Sequence, residues 1–464
     1  MIDTLNQDTI CAISTPQGMG GIAIVRVSGI KAFDIVQSRW QGKPLSQCDS
    51  HTAHLGRIVN SRGNLLDEVV VTLFRAPRSF TGEDIVEIAC HGSVWIQQQL
   101  VATLIDAGCR AATGGEFTRR AFANGRLDLS QAEAVADVIA AQSEASHRLA
   151  MNQMRGSFSR QLNDLRERLL HFVSLMELEL DFSEEDVTFA DRASIIGLAQ
   201  EILDVIGQLA SSYQAGNVIK NGLPVAIVGQ TNAGKSTLLN ALLHDDRALV
   251  SNIQGTTRDI IEDTITIAGT LFRFIDTAGL RDTSDTIERM GIERSWSSIE
   301  RARIVLWVID PTAPTAEIEQ LAAQIVPRCE GKQLIAVVNK ADIDTHNNPQ
   351  PILDATLPHN ARTIHISALN GHDISALEQL IVDTAALPTV GQNTIIVTNA
   401  RHYQALTRAH TALDRALQSL HSGTPGDLIS QDIRETIHHL GEITGEITTQ
   451  DILTTIFTHF CIGK

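Results

Sequence analysis

The chain has 464 residues and a net charge of −17 at pH 7, with 43% hydrophobic and 20% charged residues. This length exceeds what one hydrophobic core supports, so we expect about three domains in an ordinary globular protein. The acidic excess argues against a surface that binds nucleic acid through broad phosphate contact, so an RNA substrate would need a local basic patch or a partner.

The cysteines and the N-terminal segment favour a cytoplasmic protein. The six cysteines lack C-x-x-C spacing, which indicates reduced thiols and no zinc site. No basic region followed by an apolar stretch opens the chain, and no apolar run approaches the roughly 18 residues of a membrane span. We therefore expect no membrane span.

Residues 1–125 predict an α+β domain. Candidate strands are Gly21–Gly29, Val69–Phe74 and Ile85–Ile88, and a helix is expected from Val94 to about Ala107. His91 is expected to be structural, because no second or third metal-type residue has suitable spacing.

Residues 126–220 and 389–464 predict the two parts of one helical domain. Apolar residues that recur at intervals of three and four positions predict one apolar face of a helical bundle. These residues are Leu162, Leu165, Leu169, Phe172, Met176 and Leu180. The acidic segment 181–186 predicts a loop, and a further helix is expected from Ala193 to Tyr213. Similar spacing returns at Leu406, Leu413, Leu417, Leu420, Leu428, Ile429, Ile433, Ile437 and Leu440. The pattern indicates that residues 221–388 are inserted at a surface loop of a helical domain.

The inserted segment opens with a phosphate-binding motif. Gly229–Ser236 reads G-Q-T-N-A-G-K-S, after the predicted strand Val225–Val228 and before a predicted helix at 237–243. In this context Lys235 is expected to reach the β and γ phosphates. The Ser236 hydroxyl is expected to ligate Mg²⁺ at the helix N-terminus.

Two switch segments follow this motif. Gly255–Asp259 is placed as a first switch, in which Thr257 completes the Mg²⁺ shell. Asp276–Gly279 follows the predicted strand Phe272–Ile275, so its carboxylate can hold the metal through water and its glycine can follow the γ-phosphate.

Two further segments predict guanine selection. Asn339–Asp342 ends the predicted strand Leu334–Val338, and the Asp342 carboxylate can accept hydrogen bonds from the N1–H and amino groups of guanine. Ser367–Leu369 follows a predicted strand at 364–366, where a backbone N–H can meet guanine O6. Five such segments in this order predict a Ras-like P-loop domain that binds GTP.

The residue after Gly279 is Leu280, where small GTPases place a water-orienting glutamine. Leucine cannot orient water, so hydrolysis must position its nucleophile by other means. The polar stretch Arg281–Glu288 supplies carboxylates, but the residues alone equally suit a solvated loop. Spacing assigns no arginine finger.

The inserted domain, the strings D-T-A-G-L and G-T-T-R-D and the terminal F-C-I-G-K resemble the MnmE family, also called TrmE, over essentially the whole chain. This resemblance implies a GTPase of tRNA wobble-uridine modification. It works with an FAD-dependent partner, MnmG (GidA), to place a carboxymethylaminomethyl or aminomethyl group at C5. It also implies homodimerisation through the N-terminal domain and potassium-dependent pairing of the nucleotide domains.

The resemblance assigns further roles in the nucleotide domain. It places potassium ligands at Asn232, Ser251, Ile253 and Thr256, and the family often has threonine at the position of Ser251. It implies that Glu288 positions the attacking water. The expected catalytic residues are therefore Glu288, Lys235 and Asp276. The expected GTP contacts are Gly229, Asn232, Ala233, Gly234, Lys235, Ser236, Thr237, Ser251, Thr256, Thr257, Asp276, Thr277, Ala278, Gly279, Asn339, Lys340, Asp342, Ser367, Ala368 and Leu369.

The resemblance also implies a one-carbon donor, 5-formyl- or 5,10-methylene-tetrahydrofolate, bound by the N-terminal domain. Its contacts fall on Arg26, Glu87, Arg126 and Lys464, with cations for the glutamate tail and Glu87 for the pterin donor edge. Without the family, Arg26 and Glu87 would be read as satisfied strand residues. The resemblance implies that Cys461 lies near this site and is needed for modification, while the residues alone equally suit a small buried terminal residue. The terminal C-I-G-K does not fit a lipidation signal.

The expected fold is therefore multidomain: an N-terminal α+β tetrahydrofolate-binding domain, a discontinuous helical bundle and an inserted α/β GTPase domain. The expected ligands are GTP, Mg²⁺, K⁺ and the folate derivative. The alternative is a ribosome-assembly GTPase that acts as a binding switch, although no basic RNA-binding tail follows the nucleotide domain. A weaker alternative is a folate-dependent transferase in which GTP is only regulatory.

Overall fold

The computed structural model describes residues 8–181, 192–243, 263–275, 296–343, 348–386, 391, 394–422, 426–458, 460 and 463. The chain divides into two compact units. The first takes in 1–139, 150–207 and 404–464, and the second takes in 140–149 and 208–403.

The first unit contains a mixed sheet in which seven strands fall among the described residues. Their spatial order is β3-β4-β5-β6-β2-β1-β7, with every pair antiparallel except β1 with β7. The strands are β1 (Ile10–Ile13), β2 (Ile22–Ser28), β3 (Trp40–Gln41), β4 (Thr52–Val59), β5 (Leu65–Phe74), β6 (Ile85–His91) and β7 (Arg110–Ala111).

One face of this sheet forms the core of the N-terminal part. Period-2 alternation in β2 and β6 turns Val25, Val27 and Ile88 inward. Helices α1 (Ala32–Gln37) and α2 (Val94–Asp106) contact the sheet. The three predicted strands and the predicted helix are confirmed, while β5 begins four residues before its predicted start.

The helices of the first unit confirm the predicted apolar faces except at Leu428, whose side chain is 52% exposed. Helix α6 packs against α14, and the side chains of Leu162, Leu165, Leu169, Phe172 and Met176 are buried. Borders between the two units fall inside α4, α5, α7 and α13. The helices are α3 (Glu116–Ala123), α4 (Leu129–Ala140), α5 (Glu144–Met154), α6 (Ser157–Asp181), α7 (Arg192–Ser211), α13 (Ala400–Ser422), α14 (Gly426–Thr444) and α15 (Gln450–Thr458).

The second unit contains a sheet whose six described strands lie in the order β13-β12-β11-β8-β10-β9, parallel except for β10 with β9. Its strands are β8 (Leu223–Gly229), β9 (Asp263–Ile267), β10 (Thr270–Phe274), β11 (Ile304–Ile309), β12 (Gln333–Val338) and β13 (Arg362–His365). Its further helices are α8 (Tyr213–Asn221), α9 (Lys235–Leu243), α10 (Thr315–Arg328), α11 (Gln350–Thr356) and α12 (Ile374–Ala385).

Both faces of this sheet are covered by helices. Helices α9 and α12 pack on one face, and α10, α11 and a helical segment at 296–301 pack on the other. All six residues of β11 are buried, as expected for a central parallel strand. The carboxyl ends of the parallel strands meet at one edge, where open α/β sheets bind their ligands.

No helix in the described ranges is both long enough and apolar enough to cross a membrane. The five cysteines in these ranges, Cys11, Cys48, Cys90, Cys109 and Cys329, are buried free thiols, as the spacing predicts.

Candidate nucleotide-binding site

The phosphate loop joins β8 to α9 through backbone conformations that favour glycine. Gly229 and Gly234 have φ values of +148° and +93°, and Asn232 between them has φ +62°. A Cβ at Gly229 would lie 2.2 Å from Val308 O, so no larger residue fits beside β11. The loop therefore turns sharply and delivers the chain to the N-terminus of α9, the end of a helix that attracts anions.

Lys235 is the first residue of α9, and its side chain folds back over the loop. Its Nζ donates to Gly229 O at 3.0 Å and to Gln230 O at 2.5 Å. Burial lowers the pKa of Lys235 from its ordinary value, because desolvation disfavours the ammonium ion. Ser236 follows it in the first turn of α9 and is half-buried.

Asn339 connects three loops at the carboxyl edge of the sheet. Its buried Nδ2 donates to Ala233 O at 2.9 Å, and its Oδ1 accepts from Ala368 N at 3.0 Å. A Cβ at Gly234 would lie 2.2 Å from Asn339 Nδ2, so the close approach of these loops requires a glycine there. One amide therefore fixes the phosphate loop against the segment after β13.

Asp342 lies exposed beside this junction. Ser367 Oγ donates to Asp342 Oδ1 at 2.5 Å, and Asn370 N donates to Ser367 Oγ at 3.3 Å. The hydrogen bond from Ser367 holds the pKa of Asp342 below its usual range. An ionised, exposed carboxylate can accept hydrogen bonds from a ligand whose edge carries two N–H donors. Leu369 is exposed at the same loop.

Asp310 was not among the residues predicted for this site, although it follows directly after β11. Its Oδ2 accepts from Lys340 Nζ at 2.5 Å, and its Oδ1 accepts from Thr312 N at 2.9 Å and Thr312 Oγ1 at 2.7 Å. Burial pushes the pKa of Asp310 upward, but the bonds from Lys340 and Thr312 outweigh it and the pKa is lowered. The sequence did contain a signal for Asp310, because this aspartate stands directly after the unbroken apolar run Ile304–Ile309.

Several predicted site residues, in the switch segments and near the end of the chain, lie outside the described ranges. These are Ser251, Ile253, Thr256, Thr257, Asp276, Thr277, Ala278, Gly279, Glu288, Cys461 and Lys464. The strand leading to Asp276 is described, and Ile275 N donates to Val225 O at 2.9 Å beside the phosphate-loop strand.

The first unit brings together two of the four residues predicted for folate. Arg26 and Glu87 are directly opposite in the β2·β6 register. Arg26 Nε donates to Glu87 Oε1 at 2.9 Å, and the Arg26 Nη2 to Glu87 Oε1 distance is 2.8 Å. Arg126 is exposed just after α3. Gly463, near the end of the chain, lies beside the residue that follows β1, since Ser14 Oγ donates to Gly463 O at 3.1 Å.

Two histidine environments bear on metal binding. His91 Nδ1 lies 2.8 Å from Asp67 Oδ1, a hydrogen-bond contact that fits the structural role predicted for His91. Among the described residues, His438, His439 and Glu442 place ligand-type atoms within 4.8 Å of one another. Arg408 already donates to Glu442 at 2.8 Å, so this group belongs to the ion pairs between α13 and α14.

Two family models match the chain. The model of the MnmE helical domain matches residues 129–461, and the model of the GTP-binding protein TrmE N-terminus matches residues 9–126. A solved structure of a point variant of Aquifex aeolicus Era bound to GDP·AlF₄⁻ is 32% identical, with 40% of this chain and 65% of that chain covered and a TM-score of 0.26.

Two full-length relatives share one name. The tRNA modification GTPase MnmE of Bacteroides thetaiotaomicron is 54% identical over 467 residues, covering 99% of this chain and 100% of that protein. The protein of the same name from Porphyromonas gingivalis is 49% identical over 474 residues, and the alignment covers 100% of this chain and 100% of that protein. With a P-loop GTPase site, a TrmE N-terminal domain and a helical domain in one chain, the protein belongs to the MnmE family of tRNA modification GTPases.

Proposed function

We propose that this GTPase hydrolyses GTP at the carboxyl edge of the second sheet as a step in modifying the wobble uridine of tRNA. The observation that carries the GTP site is the Asn339 amide, which joins Ala233 of the phosphate loop to Ala368 of the guanine-side loop. The ionised Asp342 beside it can accept two hydrogen bonds from guanine and repels the acceptor edge of other bases.

We assign phosphate binding to the loop Gly229–Ser236 and to Lys235. The Lys235 ammonium already donates hydrogen bonds to two carbonyl oxygens of this loop. Mg²⁺ would be held by Ser236 and Thr257, with Asp276 reaching it through water. Hydroxyl and carboxylate oxygens are ligands that this ion prefers. When bound, the ion neutralises charge on the phosphate oxygens.

Potassium would be held by Asn232 together with Ser251, Ile253 and Thr256. Asn232 supports this assignment because it is exposed at the crest of the phosphate loop in a left-handed conformation. Amide, hydroxyl and carbonyl oxygens suit an alkali cation, which supplies positive charge where other GTPases use an arginine finger. Glu288 would orient the attacking water, since Leu280 cannot.

The folate derivative would lie in the first unit on Arg26, Glu87, Arg126 and Lys464, with Cys461 nearby. The donor set fits such a ligand, because a carboxylate can accept from a pterin donor edge and cations can meet a glutamate tail. The contact between Gly463 and Ser14 supports the approach of the terminal residues to this unit.

The partners we propose are a second copy of the chain, the FAD-dependent protein MnmG and tRNA. Dimerisation through the N-terminal domain is supported by an apolar cross-strand pair on the outer sheet face, where Leu55 lies opposite Val70 and both are exposed. We propose domain limits of 1–125, 126–220, 221–388 and 389–464, which the span of the second sheet over 223–365 supports.

The hydrolysis scheme is tested by the GTPase rate in K⁺ and in Na⁺ over a range of protein concentrations. We expect stimulation specific to K⁺ that rises with concentration. Glu288→Ala should bind GTP normally and lose this stimulation. Equal rates in both salts, or full turnover by Glu288→Ala, would overturn the assignment of the cation or of the water-positioning residue respectively.

The modification role is tested by mass spectrometry of tRNA from a strain that lacks this gene. We expect unmodified wobble uridine, restored by the wild-type chain and not by Glu288→Ala. Normal tRNA in the deletion strain together with defective ribosome assembly would instead support the switch function.

A further inference from the structure

The turn Ser79–Glu83 holds one aromatic ring outside the core of the first unit. Ser79 and Thr81 are buried, whereas Phe80 between them is 36% exposed. Ser79 Oγ donates to Glu83 O at 2.5 Å, which closes the turn. The backbone on both sides of Phe80 is therefore fixed while its ring is turned outward.

Four hydrogen bonds, one of them buried and three partly buried, attach this turn to the sheet and to the α3 region. Ser28 Oγ lies 2.8 Å from Thr81 Oγ1 and donates to Glu83 Oε2 at 2.7 Å. Arg120 Nη1 donates to Glu83 Oε1 at 3.1 Å, and Asn124 Nδ2 donates to Thr81 O at 2.7 Å. A turn held this firmly loses little conformational entropy when a ligand packs against it.

The exposed ring lies over Arg26. The guanidinium carbon of Arg26 is 5.5 Å from the ring centre of Phe80 and 5.5 Å from that of the buried Phe117. The same guanidinium is paired with Glu87 at 2.8 Å. An aromatic ring, a planar cation and a carboxylate thus meet at one place, which is a chemistry suited to a flat heterocycle with N–H donors.

The turn also passes close to the side chain of Arg126. Gly82 has φ +79°, and a Cβ there would lie 3.2 Å from Cγ of Arg126. The turn therefore lies near both of the described arginines that the proposed function gives to folate, with the ring of Phe80 over the Arg26 guanidinium and Gly82 beside the methylene chain of Arg126.

We propose that Phe80 is a binding residue of the folate site, where its exposed side stacks on the pterin ring while Glu87 accepts from the donor edge of that ring. This inference rests on the folate assignment made above. The pairing also separates the two arginines: Arg26 is already neutralised by Glu87 and serves the pterin end, which leaves Arg126 for the carboxylates of the tail.

The test is calorimetric binding of 5-formyltetrahydrofolate to the full-length protein. Phe80→Ala is expected to weaken binding about 10- to 30-fold, and Phe80→Tyr to stay within about threefold, because the ring is retained. Leu65→Ala is the matched control: Leu65 is an exposed apolar residue on β5, seven residues and roughly 23 Å from Thr72, the residue paired with Glu87.

The two arginines are separated with a tetrahydropterin that lacks the glutamate tail. Arg126→Ala should weaken binding of 5-formyltetrahydrofolate and leave the tail-less pterin unaffected, whereas Arg26→Ala should weaken both. Circular dichroism should match the wild type in all variants. If the wild type does not bind 5-formyltetrahydrofolate, the folate assignment itself is wrong. If it binds and Phe80→Ala binds equally well, only the stacking role of Phe80 is wrong.

Discussion

The amide of Asn339 and the carbonyl of Ala233 are joined at 2.9 Å, although the two residues are 106 positions apart in the chain. The base-side motif and the phosphate loop are therefore one rigid body, and movement of either loop would break a buried hydrogen bond. Nucleotide binding then requires little reorganisation at the base.

Replacing Asn339 with alanine should weaken GTP and GDP binding to the same degree. The change leaves the buried Ala233 carbonyl and the Ala368 N–H without their partner, at about 1–3 kcal/mol each. Urea unfolding and fluorescence titration with both nucleotides measure the two effects. Asn370→Ala is the matched control, because only the backbone N of Asn370 bonds at this site. Unchanged affinities in Asn339→Ala would show that the amide does not hold the site together.

Asp342→Asn should change the preferred base from guanine to xanthine. The carboxylate accepts from N–H donors, whereas an asparagine amide can donate to the extra carbonyl oxygen of xanthine. Ser367 can still donate to the new Oδ1, so the loop should keep its shape. We expect GTP affinity to fall at least about 100-fold and XTP affinity to rise, measured by competition against a fluorescent nucleotide. A variant that retains GTP preference would place the base elsewhere.

Asp310→Asn should lower nucleotide affinity by about three- to tenfold, because it removes the charge that holds the Lys340 ammonium at 2.5 Å. Thr312→Val removes only one of the two bonds from Thr312 to Asp310 and should have a smaller effect. The pKa of Asp310 is below its ordinary value, so its carboxylate stays charged and titration of Asp310 should not change the affinity between about pH 8 and about pH 6. A variant with wild-type affinity would make Lys340 independent of Asp310.

Local pattern was sufficient to predict the strands of the second sheet that carry binding motifs, since β8 and β12 are short apolar runs and β10 and β13 stand shortly before recognisable residues. The same reasoning passed over β11, whose run Ile304–Ile309 carries no motif. It also missed the first residues of β5, because Leu65–Glu68 become a strand by pairing with β4, a contact that local composition does not encode.

Residues of the nucleotide site could be predicted where a sequence motif specifies both the residue and its role. They could not be predicted where the role depends on contacts between segments distant in the chain. The identities of Asn339 and Asp342 were read from the sequence. The ion pair between Asp310 and Lys340 was not, because it depends on neighbouring strands ending at the same edge. The pairing of Arg26 with Glu87 likewise depends on the β2·β6 register, which brings residues 61 positions apart face to face.

A buried charge network in the first unit makes stability depend on pH. Glu116 is fully buried, and its Oε1 accepts from Arg110 at 2.5 Å and from Arg120 at 3.2 Å, while its Oε2 accepts from Thr113 N at 2.9 Å. Burial raises the pKa of Glu116, but the bonds from Arg110 and Thr113 outweigh it and lower the pKa to about 2. The carboxylate therefore stays charged far below the pH at which it would protonate in the unfolded chain.

Glu116→Gln should lower the free energy of unfolding at neutral pH by on the order of 3 kcal/mol, and this difference should shrink in acid. Because the folded-state pKa is depressed, the stabilisation is complete above the unfolded value of 4.5 and is lost as the pH falls toward about 2. Urea unfolding of both proteins at pH 7, 5 and 3 measures the difference. Glu68→Gln is the control, since Glu68 pairs with Arg57 at 3.5 Å with both side chains more than half exposed, and its effect should stay below about 1 kcal/mol. A Glu116→Gln difference that does not change with pH would mean that Glu116 is not held ionised by its arginines.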